Sequence, residues 1–276
     1  MEANVCEPLA RGTPERGDSM APSPAWRILL TEDNPINQRV VVGILEQQGH
    51  SVCVTGNGKE ALAAWEREHF DLALFDLEMP EMDGLEATAA IRAGERQAGR
   101  RMPILAVTSC ASPEDRERCR AAGMDGHLTK PVQAATLLQA IRDRLQGTQN
   151  AFAQEAREIH EEMLINYQDL LERVDGNMRL VSEIAQMLLE DCPQWMAEIR
   201  ESICQGDASR LKLAAHTFSG AVANFGAEEA HKAARALESM GRSGNLAGAH
   251  AALIDLESAL DRLQPALCGL AAASAG

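Results

Sequence analysis

A chain of 276 residues has room for one or two domains. A formal net charge of -15 argues against general binding to nucleic acid or anionic membrane, because phosphates must be met by Lys and Arg and no basic run stands out. Hydrophobic residues at 45% supply ordinary cores, and only 3% aromatic residues mean that Leu, Ile, Val, Ala and Met must build them.

Residues 1–24 are rich in Pro, Gly, Ser and charge without any period and read as a flexible N-terminal tail. From Trp26 onward, short apolar runs alternate with stretches of helical period. The runs are Ile28–Leu30, Ser51–Val54, Leu72–Phe75, Ile104–Val107 and a weak one at His127–Thr129. Amphipathic segments follow them at about 35–48, 58–69, 85–97, 113–121 and 133–146. Five strands, each followed by a helix, predict an α/β fold over 25–147, with a parallel sheet covered on both faces.

Residues 148–156 read as a linker, and everything after them is helical. Leu164, Tyr167, Leu171 and Val174 step by 3 and 4. So do Val181, Ile184, Leu188, Cys192, Trp195 and Ile199, and then Leu253, Leu256, Leu260, Leu263 and Leu267. Such seams predict an all-α bundle over 157–268. Pro193 should bend the second helix, Asp207 should cap the helix that holds His216, and 269–276 should fray.

Seven cysteines, an odd number with no C-x-x-C spacing, fit a reducing compartment rather than a disulfide framework or a zinc site. No signal peptide and no run approaching 18 apolar residues is visible. A cytoplasmic location is expected, compatible with the tail of a membrane-bound parent, with no direct membrane contact from this segment.

In an open parallel sheet, sites form beyond the carboxyl ends of the strands. Glu32 and Asp33 lie there on the first strand, Asp76 on the third and Thr108 on the fourth, and Lys130 follows the fifth. Two carboxylates about 4 Å apart repel by roughly 4 kcal/mol at an effective dielectric near 20. Lys130 supplies one positive charge, and a hard divalent cation with oxygen ligands, Mg2+, is the natural source of the rest. Such an ion also neutralises a phosphoryl group in transit.

The stretches R-I-L-L-T-E-D-N-P, F-D-L-E-M-P-E-M-D-G, A-V-T-S and L-T-K-P resemble, in order and spacing, the signatures of response-regulator receiver domains. The resemblance implies a doubly wound five-stranded parallel sheet of order 2-1-3-4-5. It implies Asp76 as the nucleophile that takes a phosphoryl group from a phosphohistidine. Asp33 and Asp76 would ligate Mg2+ through side chains, Glu78 through its backbone carbonyl, and Glu32 through water. Lys130 would pair with the phosphoryl oxygens, the Thr108 hydroxyl would move to meet them, and the Lys130–Pro131 bond would be cis. Receivers usually carry Tyr or Phe on the fifth strand as a rotating switch. His127 stands there instead, which calls an aromatic output switch into question; a receiver that only passes phosphate onward needs none.

In the second half, Leu211, Ala215, Phe218, Val222 and Phe225 make one apolar seam. His216 lies about 100° round from it, toward solvent, on a stripe with the small residues Ser219, Gly220 and Ala223. A glycine inside a helix costs about 1 kcal/mol relative to alanine, and close approach by a partner would offset that. A-H-T-F-S-G-A-V-A-N-F-G-A resembles the phosphohistidine motif of histidine phosphotransfer (HPt) domains. It implies a four-helix bundle with His216 as carrier. The family usually has Lys where this chain has Ser219. Glu238 falls where it would accept a bond from one ring nitrogen and leave the other nucleophilic.

The expected function is two-component phosphorelay signal transduction. The upstream partner is a sensor histidine kinase, in cis or in trans, and the downstream partner is a response-regulator receiver. An alternative makes the receiver a phosphorylation-gated module that controls access to His216 without direct transfer. An aspartate-nucleophile phosphohydrolase fits less well, because its nucleophile follows the first strand in a D-x-D pattern. The absence of G-x-x-x-x-G-K-S/T and D-x-G-x-G stretches argues against an autonomous kinase, though the chain fits part of a hybrid one. Eight linker residues reach at most about 28 Å, so transfer within the chain is possible and left open.

Overall fold

The computed structural model describes residues 25–98, 101–109, 112–145 and 165–272. The expected tail over 1–24, the linker, Leu164, Cys110 and His160 lie outside them.

The first unit alternates strand and helix: β1 (Arg27–Thr31), α1 (Pro35–Gln47), β2 (Ser51–Thr55), α2 (Gly58–Arg67), β3 (Leu72–Asp76), α3 (Gly84–Ala98), β4 (Ile104–Thr108), α4 (Pro113–Ala122), β5 (Gly126–Thr129) and α5 (Ala134–Leu145). All pairings are parallel, in the order β2-β1-β3-β4-β5. β3 and β4 are buried along their whole length, which is why they read as continuous apolar runs. The alternation of strand side chains divides the core in two. Ile28, Leu30, Leu72 and Leu74 pack with Val40, Ile44, Leu137 and Ile141 of α1 and α5. Leu29, Ala73, Phe75 and Ile104 pack with Ala61, Ala87 and Ile91 of α2 and α3.

The second unit contains α6 (Tyr167–Arg173), α7 (Met178–Gln205), α8 (Ala208–Ala223), α9 (Glu228–Ser243) and α10 (Ala249–Ala272). The last four close a ring, each packed on the next and α10 back on α7. This is the expected bundle, with α6 as a short addition. Asp207 caps α8 by accepting from the Arg210 N–H at 2.9 Å, after Gly206 has ended α7 in the left-handed region at φ +68°. Pro193 lies inside α7, whose helix continues through it.

Two expectations are corrected here. Tyr167 is 45% exposed rather than part of the core seam; α6 turns Leu170 inward instead, because the helix begins only at Tyr167 and its face is set by contact with α5 and α7. Residues 269–272 do not fray but extend α10, held by the buried Leu270 and by Ser182 Oγ donating to the Ala271 carbonyl at 2.7 Å.

The two units share one apolar core. Helix α1 lies against α7 and α8, and Val40, Val41 and Ile44 belong to the same buried cluster as Leu180, Val181 and Ile184. Gly43 permits this approach: a Cβ there would meet a Leu180 methyl at 2.6 Å. Beside it, Arg39 forms a two-pronged ion pair with Glu183 at 2.6 and 2.8 Å.

Candidate functional site

The strand register brings the acids together. Thr31 is level with Phe75, Asp76 with Val107, and Thr108 with Thr129. The residues just beyond these positions therefore converge on one mouth, and one carboxylate oxygen each of Glu32, Asp33 and Asp76 lies within 4.8 Å of the others. Lys130 reaches between two of them, with Nζ 2.7 Å from Glu32 Oε2 and 2.6 Å from Asp76 Oδ2. The Lys130–Pro131 bond is cis, as expected. Asp76 Oδ1 accepts the Glu78 N–H at 3.3 Å.

Burial and crowding shape the charges. Burial and the neighbouring Asp76 and Asp33 push Glu32 up to about 7, despite Lys130. Burial, then Asp76, push Asp33 up to about 6. Burial works against the ammonium of Lys130, but Asp76 and Glu32 outweigh it and hold that group above its usual range. The pocket is short of positive charge. Asp33 Oδ1 is buried and has no hydrogen-bond partner among the described residues. Three convergent oxygens and an orphaned acceptor fit a hard divalent cation.

The second unit covers this mouth. Helix α8 carries His216 into a cleft lined by Leu77, Glu78, Pro80, Thr108 and Lys212. His216 Nδ1 is 3.3 Å from Glu238 Oε1 of α9. Burial alone would raise Glu238, but the bonds and charges of His216 and Arg242 hold it down at about 2. An ionised carboxylate can only accept, so Nδ1 carries the proton and Nε2 keeps the lone pair. Burial lowers the affinity of His216 for a second proton, but the Glu238 bond and the Asp76 charge outweigh it, leaving the imidazole above its usual range.

One expectation fails here. His216 does not face water; it is 5% exposed. It does sit off the apolar seam, but the receiver mouth packs over that stripe and replaces solvent with Glu78 and the Asp76 charge. The stripe of small residues serves this approach. A Cβ on Gly220 would stand 3.0 Å from Asn37 Nδ2. Asn34 Nδ2 donates to the Thr217 carbonyl at 2.6 Å, and Asn224 Nδ2 donates to Asn37 Oδ1 at 2.7 Å. Asn37 in turn donates to Glu32 at 3.0 Å.

The sequence reading missed the polar residues that dock the two halves. Lys212 Nζ lies 2.7 Å from Glu78 Oε2, and Arg242 reaches Glu78 at 2.9 Å and Glu238 at 2.8 Å. Arg235 donates to the Ser109 carbonyl at 3.4 Å. A helical signal existed: Lys212 lies four residues before His216, and Arg242 four after Glu238, each one turn away on the same face. Ser219, at the position of the expected lysine, contacts His231 Nδ1 at 3.1 Å.

Comparisons with known proteins agree with this architecture. Residues 28–142 match the response regulator receiver domain family, and residues 183–266 match the Hpt domain family. "Sensor protein GacS" of Pseudomonas syringae pv. syringae is 32% identical over 252 residues, 88% of this chain and 27% of that protein. "Sensor histidine kinase AruS" of Pseudomonas aeruginosa is 33% identical over 203 residues, 73% of this chain and 20% of that protein. The receiver domain of sensor histidine kinase PA1611 from Pseudomonas aeruginosa, solved with magnesium in its active-site cleft, is 40% identical. That match covers 45% of this chain and 99% of that one, with a TM-score of 0.42. The chain thus spans only about a quarter of the curated relatives it matches, 27% and 28% of the two GacS proteins. The fold and its two sites define a two-component phosphorelay protein. The chain belongs to the receiver and Hpt families, with a response-regulator receiver domain followed by a histidine phosphotransfer domain. Among the described residues, no helix is long and apolar enough to cross a membrane.

Proposed function

We propose that Asp76 accepts a phosphoryl group from the phosphohistidine of a sensor kinase and that His216 exchanges it with Asp76 inside the chain. A downstream response-regulator receiver is the eventual recipient. The observation that carries this reading is the docking of α8 over the receiver mouth, which leaves His216 buried beside Glu78 and within the field of Asp76. On this reading the chain carries phosphate and uses no ATP itself. Its five described cysteines, all free thiols, fit a cytoplasmic setting.

In the first step the Asp76 carboxylate attacks phosphorus, and the P–N bond breaks with its electron pair returning to the donor imidazole. In the second, His216 Nε2 attacks the acyl phosphate, and the P–O bond breaks with its pair returning to Asp76. Lys130 stays on Asp76 throughout and balances the charge released there. The Nδ1 proton stays against Glu238, which stabilises the phosphoimidazolium. Thr108 lies at the mouth, where its hydroxyl can meet a phosphoryl oxygen. Asp33 and Asp76, with Glu32 behind them and the Glu78 carbonyl beside them, would hold Mg2+. When bound, that ion supplies positive charge to the phosphoryl oxygens.

The test is single-turnover labelling with an acyl-phosphate donor and Mg2+, with each site mapped by mass spectrometry. Label should pass from Asp76 to His216 at a rate independent of chain concentration. Asp76→Asn should abolish both labels, and His216→Gln only the second. Transfer that occurs only between molecules would reject the in-chain step. A second reading follows from the same burial: with His216 only 5% exposed, delivery to another receiver requires the two units to part, so the receiver also gates access to its carrier.

Two further outcomes follow. Glu32 and Asp33 bind protons more tightly folded than unfolded, so their contribution to stability is complete below pH about 4 and is lost as the pH rises through about 6 to 7. Mg2+ compensates the ionised form. The gain in melting temperature on adding Mg2+ should therefore be larger at pH 8 than at pH 5.5; an equal gain at both would contradict the assigned pocket. In Glu238→Gln, His216 loses the charge that favours its protonation. The acid limb of the transfer profile should move to lower pH, and the rate at pH 8 should fall about tenfold, the low end for losing the outer partner that orients a functional histidine. An unchanged midpoint would show that Glu238 does not set the imidazole.

A further inference from the structure

The bundle offers the receiver two cations, and the receiver answers both with one side chain. Glu78 stands two residues beyond Asp76. Lys212 reaches it from α8, one turn before His216, at 2.7 Å, and Arg242 reaches it from α9 at 2.9 Å. Arg242 also binds Glu238, the acceptor of the His216 Nδ1 proton. One continuous ionic chain therefore links the residue two past the acceptor to the ring of the carrier. We propose that Lys212 and Arg242 form a selector by which this bundle chooses receivers, and that the feature it reads is a carboxylate two residues past the acceptor aspartate.

The selection has a physical basis. Cations held at an interface that meet a carboxylate there keep a favourable partner; facing an ammonium or guanidinium, they repel it. The position read is rigidly coupled to the chemistry, since the Glu78 N–H itself holds Asp76 Oδ1. A receiver with Lys or Arg at this position would meet Lys212 head on and would tilt Arg242 away from Glu238. The chain's own receiver meets the requirement, and so would a downstream receiver with Asp or Glu there. Through their side chains Glu78, Lys212 and Arg242 are thus positioning and specificity residues; of the three, only the Glu78 backbone carbonyl belongs to the proposed Mg2+ site.

This inference rests on the proposed Asp76-to-His216 transfer, and the same assay separates the two. In the full chain, single-turnover transfer is compared among the unaltered protein, Lys212→Glu, Glu78→Lys and the combined Glu78→Lys/Lys212→Glu, with unfolding curves for each. Each single reversal should slow the step at least tenfold, by like-charge contact across the interface. The double reversal should recover most of that loss, and added salt should narrow the difference. Lys212→Arg should keep the unaltered rate. Lys212→Glu leaves the receiver untouched, so its Asp76 labelling should match that of the unaltered chain. No recovery in the double variant, or single variants as fast as the unaltered chain, would overturn the selector while leaving the relay intact. An unaltered chain that never labels His216 would overturn both.

Discussion

Alanine at position 84 is expected to destabilise the receiver by about 3 kcal/mol, at the upper end for overpacking, and to cut labelling of Asp76 at least a hundredfold. Gly84 opens α3 directly beneath the acceptor strand. A Cβ placed there would overlap the carbonyl oxygen of Asp76, and it would lie 3.1 Å from that residue's carbonyl carbon and 3.4 Å from the Leu77 Cα. All three atoms are backbone, so no rotamer can give way. The Gly84 N–H donates to the Leu77 carbonyl at 3.4 Å, and its own carbonyl accepts from Thr88 Oγ1 at 2.7 Å. The first bond ties the helix start to the loop after β3, and the second lies within α3, whose Thr88 is itself fully buried. Relief must come from moving Asp76, and a shift of about 1 Å at a reacting group is enough for the predicted rate loss. Denaturant unfolding and acyl-phosphate labelling check the two effects separately. Near-unaltered values in both would show that the loop after β3 is far more compliant than its contacts imply.

The strands and helices were legible because burial pattern and period agree in each. Five apolar runs became five strands, with bounds shifted by at most a residue, since β3 and β4 are buried on both faces and leave no polar alternation to mislead. The convergence of Glu32, Asp33, Asp76 and Lys130 was legible because topology alone delivers strand ends to one mouth. The environment of His216 was not legible. Helical geometry correctly placed it off the apolar seam, but no helical wheel reveals that another unit covers that face. The residues that decide the matter, Asn34, Asn37, Asn224, Lys212 and Arg242, are polar, and polar residues on a helix face read by default as solvated. Gly43 and Gly220 were the available clue. Each is a glycine inside a helix where alanine would serve better alone, and each faces a side chain of the other unit, Leu180 for one and Asn37 for the other. Tyr167 misled for the opposite reason: a 3-and-4 spacing continued through a residue that begins a new short helix.

Removal of the Lys130 ammonium is the second change with a large expected effect. In Lys130→Ala, Glu32 and Asp76, whose side chains are 3% and 2% exposed, lose the cation they share. Breaking one side of a buried ion pair costs about 3–5 kcal/mol, because the remaining charge is left unpaired, and the loss of a preorganised charge beside the reacting oxygen should slow phosphoryl acceptance by roughly 10²- to 10³-fold. The pH dependence separates this electrostatic origin from lost packing. Glu32 already holds its proton up to about 7 with the lysine present, and without that cation it protonates more readily. The stability deficit should thus be small at pH 5.5 and full at pH 8. Mg2+ should restore part of it at the higher pH, since a divalent cation can replace the missing charge in the same pocket. Lys130→Met keeps most of the buried stem and should behave like the alanine variant in its pH dependence. A deficit equal at both pH values and indifferent to Mg2+ would assign the role of Lys130 to its alkyl chain, and the ammonium would no longer explain how three crowded acids coexist at the mouth of the sheet.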